Sequence, residues 1–229
     1  MAEPYDTEQE TPEFAGIAEL SENLVYRLPG CADLMIRKTI QEVCREFCGE
    51  TQCLTFTAPI PLVPGEFEYV VSPAYGGIVV GIRSVHALGR RLVRGAEYRV
   101  RRGTTSLTLE LSPRIVPPPP PMDERGGFMS VSGSPIAENA APPPRILAVE
   151  AYEEPKLNSE KLPRWFVQRF GDAICSGVLS RLCAMTGRAW TDTSLASAEL
   201  VRYENAKSET RMLAELPNGG RFIDTSMVL

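Results

Sequence analysis

Three stretches of this 229-residue sequence predict an α+β fold. A helical stripe runs from about Ala32 to Gly49, short strand candidates split by glycine and proline fill Thr51 to Leu111, and a helical hairpin spans Leu162 to Met212. None of these elements can bury its apolar side alone. The expected architecture is therefore a small antiparallel sheet packed with an N-terminal helix and a C-terminal helical hairpin. An extended acidic N-terminal arm, a proline-rich loop and a C-terminal tail complete the chain.

The arm comes first. Residues 1–22 hold Glu3, Asp6, Glu8, Glu10, Glu13, Glu19 and Glu22 and neither Lys nor Arg. Pro4 and Pro12 interrupt them, and Phe14, Ile17 and Leu20 are the main apolar points, so residues 1–27 read as an arm that orders against a partner. In the first helix, Ile36, Ile40, Val43 and Phe47 fall at i, i+4, i+7 and i+11, one buried face, and Gly49 is placed to end it. The period then changes to two. Cys53–Ala58, Glu66–Val71, Gly77–Val85, Glu97–Val100 and Ser106–Leu111 are strand candidates bounded by Pro64-Gly65, Gly76-Gly77, Gly89 and Gly103. Thr108 and Glu110 alternate with Leu107, Leu109 and Leu111, which gives that strand one wet and one covered face.

Residues 113–145 break the pattern with five prolines at 117–121 and three at 142–144. Proline removes backbone donors and favours extended polyproline II, so a projecting loop is expected here. Arg145–Tyr152 then returns as a strand, expected to pair with Ser106–Leu111 across the excursion. Pro163 suits a first helical turn, and Trp165/Phe166, Phe170, Ala173/Ile174, Gly177/Val178, Leu182 and Met185 repeat at helical spacing. Gly187 ends that helix, and Asp192, Thr193 or Ser194 can cap the next, whose apolar face is Ala196, Leu200, Tyr203 and Ala206. Small residues (Ala173, Cys175, Ser176, Gly177, Ala184) sit among large ones on the first hairpin helix, so a helix, a sheet or a neighbouring subunit can approach at Gly177. These elements make one domain over 28–215, followed by a tail over 216–229.

Three segments carry a family resemblance. The run Ala-Ile-Cys-Ser-Gly-Val-Leu-Ser-Arg-Leu-Cys-Ala-Met, then Gly-Arg-Ala-Trp-Thr-Asp, then Leu-Ala-Ser-Ala-Glu-Leu-Val-Arg-Tyr-Glu resembles the C-terminal helices of head-to-tail adaptor (connector) proteins of tailed bacteriophages. Leu28–Cys48 resembles their first helix, and Ala58–Tyr69 the strand after it; together the blocks cover roughly 28–92 and 146–212. The resemblance implies a structural virion protein of the neck, made in the host cytoplasm. It would form a twelve-membered ring that joins the portal protein to a tail or nozzle protein and continues the channel through which genomic DNA passes without sequence-specific binding. It also implies that the apolar tail, with Phe222, Ile223, Val228 and Leu229, reaches the portal.

Composition sets limits on other functions. The net charge is −5, and the seven acids of the first 22 residues leave the remainder at about +2, too nearly neutral for a body built to grip DNA. No run of about 18 apolar residues and no basic-then-apolar leader occurs, so no membrane association is expected. Six cysteines (Cys31, Cys44, Cys48, Cys53, Cys175, Cys183) accompany a single His. Cys44, Cys48 and Cys53 could hold a metal, but core packing as small hydrophobes is the preferred reading. His86 next to a turn, and the carboxylate pairs Glu66/Glu68 and Glu153/Glu154, lack the companions that general acid–base work needs. Walker, dinucleotide, nucleophile-elbow and zincin motifs are missing, so no catalytic residue, metal or cofactor is predicted. A tail-associated hydrolase and a nucleic-acid-binding module are the alternatives from other classes.

The most suggestive charge feature is arginine. Arg83, Arg90, Arg91, Arg94, Arg99, Arg101 and Arg102 fall within twenty residues that contain no lysine. A solvated hairpin face, a subunit or partner interface and a phosphate-facing surface all fit, the interface best, because arginine is enriched at interfaces. The candidate interface set is Arg83, Arg90, Arg91, Arg94 and Gly177, with Phe222, Ile223, Val228 and Leu229 of the tail.

Overall fold

A computed structural model describes residues 13–116 and 145–215. The arm residues 1–12, most of the proline-rich loop (117–144) and the tail from 216 onward lie outside the described residues. The elements in order are β1 (Phe14–Gly16), α1 (Ile17–Val25), α2 (Asp33–Thr51), β2 (Thr55–Pro61), β3 (Glu68–Val71), β4 (Ile78–Ala87), β5 (Arg90–Arg91), β6 (Tyr98–Arg102), β7 (Leu107–Leu111), β8 (Ile146–Glu154), β9 (Lys161–Pro163), α3 (Arg164–Cys183) and α4 (Thr193–Glu215). This is the α+β class that the periodicities predict. The described residues form two compact units, one helical (13–54, 75–77 and 154–215) and one of strands (55–74, 78–116 and 145–153). The sequence reading of one domain over 28–215, with the helices covering the sheet, differs from this arrangement, because each unit supplies its own apolar core.

In the helical unit, the predicted stripe Ile36, Ile40, Val43 and Phe47 of α2 is buried against Phe166, Ile174 and Val178 of α3 and Tyr203 of α4. Phe47 is the hub of an aromatic group, with ring centroids 5.2 Å from Phe170 and 6.0 Å from Tyr203. The helix runs past Gly49 to Thr51, and Gln52 ends it in the left-handed region at φ 52°. Gly49 serves a different purpose. A Cβ there would lie 2.6 Å from a Glu154 carboxylate oxygen, which pairs with Arg45 at 3.2 Å. Part of the expected arm is also folded: Phe14–Gly16 pairs with β9, and Ile17, Leu20 and Leu24 of α1 enter the core. Three apolar residues spaced i, i+3, i+7 in an otherwise acidic run carry that helix, and acidity masks the signal.

Asp192 caps α4, accepting from the Leu195 N–H at 2.9 Å, and Gly187 takes φ +72° in the preceding turn. The buried face of α4 is Ala196, Glu199, Tyr203, Lys207 and Thr210, whereas Leu200 is exposed. Charged residues are thus buried where an apolar stripe was expected, and each is paired. Glu199 accepts from Arg27 at 2.8 Å and Arg202 at 3.3 Å. Lys207 meets Glu204 at 2.7 Å, Glu50 at 3.1 Å and Glu46 at 3.4 Å, and its ammonium lies 4.8 Å from the Tyr203 ring centroid. Burial alone would push Glu46 up, but the hydrogen bond and charge of Arg181, with the charge of Lys207, outweigh it and leave the carboxyl below its ordinary range. Burial likewise disfavours the Lys207 ammonium, yet Glu204 and Glu50 hold its pKa above the ordinary lysine value.

The strand unit holds two sheets, ordered β2-β8-β4-β5 and β3-β7-β6. Their inward residues, among them Val71, Val85, Leu107, Leu109, Leu147 and Val149, form one core. β8 does not pair with Ser106–Leu111 as expected. It lies between β2 and β4 and runs antiparallel to β2 from Thr55↔Tyr152 to Pro61↔Ile146, while β7 lies between β3 and β6. A local hairpin explains the outcome: the Gly103 N–H donates to the Ser106 carbonyl at 2.9 Å, and closing so short a loop costs far less entropy than pairing across the proline-rich excursion. The alternation read in β7 is observed, with Leu107, Leu109 and Leu111 buried and Thr108 and Glu110 partly exposed.

Two outcomes test this packing. At Gly177 an added Cβ would lie 2.7 Å from Val43 and 2.9 Å from the Tyr203 ring, so Gly177→Leu should lower unfolding stability by about 1–3 kcal/mol through overpacking. Denaturant melts read this, and an unchanged midpoint would refute the close approach. Lys207→Met should cost about 1–3 kcal/mol at neutral pH by leaving partly buried carboxylates without their cation. The sign with pH follows from the depressed Glu46. Its contribution is complete above the ordinary carboxyl value of 4.5 and fades as pH falls through the lowered folded-state value. The wild type should therefore lose stability on acidification below that point, and the Met variant should lose less.

Candidate functional site

The arginine run folds as a hairpin and the strand that follows it. β4 and β5 are joined by Leu88-Gly89, with Ala87 opposite Arg90 and His86 opposite Arg91. Both loop residues have positive φ, +53° at Leu88 and +76° at Gly89, the two-residue turn whose twist matches the flanking strands. Glycine adopts this at little cost. Leucine does not, since an L-residue in the left-handed region costs about 1–2 kcal/mol. Leu88 is nonetheless 53% exposed at the tip, and Val93 beyond it is 60% exposed.

The guanidinium groups differ in their surroundings. Arg90 forks onto Glu97 with bonds of 3.0 and 2.5 Å, and the Val93 N–H donates to the same carboxylate at 2.8 Å. The hydrogen bond from Arg90, with that from the Val93 amide, holds Glu97 below the ordinary carboxylate range despite the opposing effect of desolvation. Arg90 therefore clamps the chain between the hairpin and β6. Arg101 pairs with Glu110 at 2.5 Å on the neighbouring strand. Arg91 donates to the Arg83 carbonyl at 3.2 Å and Arg102 to the Val80 carbonyl at 3.4 Å, neither to a carboxylate. Arg83 is half-buried on β4, and Arg94 is exposed beside an isolated bridge to Tyr98.

Of the predicted interface set, then, Arg83, Arg90, Arg91 and Arg94 lie on one connected stretch. Gly177 is buried in the helical unit, and of the close approaches expected there it is helices of its own chain, through Val43 of α2 and Tyr203 of α4, that make it. Phe222, Ile223, Val228 and Leu229 lie outside the described residues. Sequence reading missed Leu88 as a strained exposed tip and Glu97 as the Arg90 partner. A signal existed for the first: Leu-Gly between two strand runs is a two-residue hairpin with an unsuitable first residue.

The remaining candidates for chemistry fall into packing roles. Cys44, Cys48, Cys53 and Cys183 are buried in the helical core, and all six cysteines are free. Burial pushes the Cys44 and Cys48 thiols well up, and Cys175 is raised to about 11, so these sulfurs are poor thiolate donors. Among the described residues no group of three or more His, Cys, Asp or Glu side chains is placed to hold a metal. His86 is exposed on β4, and Glu68 faces Glu110 across β3 and β7. Two clefts open on the helical unit. One, of about 520 Å³, is lined by Glu42, Arg45, Glu46, Glu50, Glu154 and Arg181; the other, of about 610 Å³, includes Arg27, Arg169, Cys175, Ser176, Glu199 and Arg202. In both, the buried acids are engaged by arginine or lysine of the same chain.

No protein family and no curated protein matches the chain. Among solved structures it is similar to a chain from the neck of an empty GTA particle computed with C6 symmetry, at 10% identity and a TM-score of 0.26, covering 83% of this chain and 94% of that one. No helix among the described residues is long and apolar enough to cross a membrane.

Leu88 provides the test of this surface. Leu88→Gly should raise stability by about 1 kcal/mol by removing the left-handed strain, read as a higher denaturation midpoint. If the tip is a contact residue, the same variant should weaken assembly with partners. A gain in stability with undiminished assembly would remove Leu88 from the interface.

Proposed function

We propose that this chain is a structural neck protein, a head-to-tail adaptor that assembles as a ring between portal and tail and has no enzymatic activity. The observation that carries the reading is the match between the resembling blocks and the folded elements. The Leu28–Cys48 block forms most of α2, Ala58–Tyr69 leads from β2 into β3, and the C-terminal block forms α3, the Gly187–Trp190 turn and α4. Each block is thus a packed element of the kind the resemblance implies, in the same order along the chain.

Supporting features are independent of the resemblance. The arginine hairpin presents charge and an exposed leucine together, the composition of a contact surface rather than of a catalytic cleft. Among the described residues, the acid buried in the helical unit, Glu199, is paired with Arg27 and Arg202 of its own chain. A tail hydrolase would need two acids free to act across a cleft, whereas Glu46, Glu50 and Glu154 of the first cleft are paired with Arg181, Lys207 and Arg45, and a nucleic-acid module would need a basic platform interleaved with aromatics.

In this reading the partners are further copies of the chain in a ring of twelve, the portal protein, and a tail or nozzle protein, with genomic DNA passing through the channel. The tail from 216 onward reaches the portal, where an extended apolar segment adds to a strand edge. Imaging the purified protein alone and with a portal ring tests the assembly: a ring in either condition supports it, and failure in both overturns it. Deleting Arg221–Leu229 should abolish portal binding at an unchanged melting temperature. Lower stability with intact binding would mean that the tail folds back on its own chain.

A further inference from the structure

The three-stranded sheet has the order β3-β7-β6, so β6 presents one open edge. Beyond the bridge at Tyr98, this edge is flanked by cations whose charge is not cancelled inside the chain. Arg90 and Arg101 are neutralised by Glu97 and Glu110, but Arg91, Arg94, Arg99 and Arg102 have no carboxylate partner within 4 Å among the described residues. All four are exposed. An open edge offers backbone donors and acceptors to an added strand, and arginine forks suit carboxylates bidentately. The opposite edge strand, β3, carries Glu68 and follows Glu66, so it repels what β6 attracts.

The chain contains a segment that fits the β6 edge. Residues 1–12 read MAEPYDTEQETP, with four acids and no Lys or Arg, and Asp6, Glu8 and Glu10 recur every second residue. In extended backbone that spacing puts all three carboxylates on one face, where they present a single row of charge to the arginines at the β6 edge. The twelve residues can span about 40 Å when extended, enough to cross to an adjacent molecule. Tyr5 lies within the segment, and Leu88 and Val93 are exposed apolar residues near the arginines.

We propose that the acidic segment 1–12 of one copy docks in extended form along the β6 edge of a second copy, its carboxylates pairing with Arg91, Arg94, Arg99 and Arg102. The contact rests on the ring reading above and adds to it the specific link between neighbours. It is heterologous, since the segment of one copy meets a different surface on the next, and repeated around a rotation axis such a contact closes a ring.

The test uses full-length protein whose own segment is disabled by Asp6→Lys, Glu8→Lys and Glu10→Lys, titrated with a fluorescent peptide of residues 1–12. Saturable binding that weakens with added salt is expected. Adding Arg91→Glu, Arg94→Glu, Arg99→Glu and Arg102→Glu should weaken it by about tenfold or more. If that variant melts early, Arg94→Glu with Arg99→Glu serves instead, because neither side chain makes a hydrogen bond that holds the hairpin. Peptide binding requires no ring, so its outcome is separable from that of ring formation. No binding, or binding indifferent to the arginines, overturns the proposal. A random duplex DNA that binds the arginines more tightly than the peptide does also overturns it, in favour of a phosphate-facing surface. Mixing the segment-reversed and arginine-reversed proteins separates neighbours from self: one intact segment and one intact edge should restore a complex between the two. Peptide binding without such a mixed complex would mean that the segment docks on its own copy and would refute the second-copy contact.

Discussion

The close approach of three helices at Gly177 governs the helical unit. α2 and α4 meet α3 where a side chain would collide with Val43 and Tyr203, and the absence of a Cβ lets all three share one core. That proximity places Tyr203 against Phe47 and puts its hydroxyl 3.4 Å from both the Val43 carbonyl and a Glu46 carboxylate oxygen. Tyr203 is more than an apolar filler here, because its ring packs while its hydroxyl bonds at the border of the core. One turn further along α4, Lys207 reaches the same Glu46. The glycine, the tyrosine and the buried lysine therefore form a chain of dependence that starts from one missing methyl group.

That dependence explains why the unit tolerates buried charge. An isolated ammonium in the core would neutralise or unfold the protein, whereas Lys207 is surrounded by three carboxylates that each retain contact with solvent. The arrangement avoids most of the desolvation cost of a fully buried pair, since only the lysine gives up its water. Glu199 repeats the design with reversed sign, a buried carboxylate between the more exposed Arg27 and Arg202. Such pairs fix which face of α4 points inward, a register that its thin apolar stripe specifies weakly.

The sequence was most legible where one period ran uninterrupted. The α2 stripe, the Asp192 cap and the alternation of β7 are all found as read, because each is decided by local spacing and capping. Reading failed where long-range context decided. β8 alternates cleanly, but alternation names a face and not a neighbour, and its place between β2 and β4 is a matter of topology. Acidity hid α1, whose three apolar residues are enough once a core exists to receive them. The face of α4 was read correctly at Ala196, Tyr203 and Ala206 but not at Leu200, which is exposed, because Glu199 and Lys207 look like surface residues until their partners on other elements are known. The arginine run was visible as composition, but which guanidinium groups are spent within the chain depends on Glu97 and Glu110 across the sheet.

That last distinction bears most on function. Seven arginines in twenty residues suggest a uniformly basic surface, and a uniformly basic surface suggests nucleic acid. The fold divides them. Arg90 and Arg101 are held by carboxylates and shape the hairpin and sheet, while others remain beside an open strand edge and an exposed leucine. A phosphate-binding surface gains from every cation and has little use for acids among them, since each would offset the counterion release that drives such binding. Interleaved Glu97 and Glu110 lower the field and hold Arg90 and Arg101, not the other guanidinium groups. Acids among the cations and an exposed apolar tip beside them are features that a protein contact can use and a diffuse polyanion cannot, which is the physical ground for proposing protein contact at this surface.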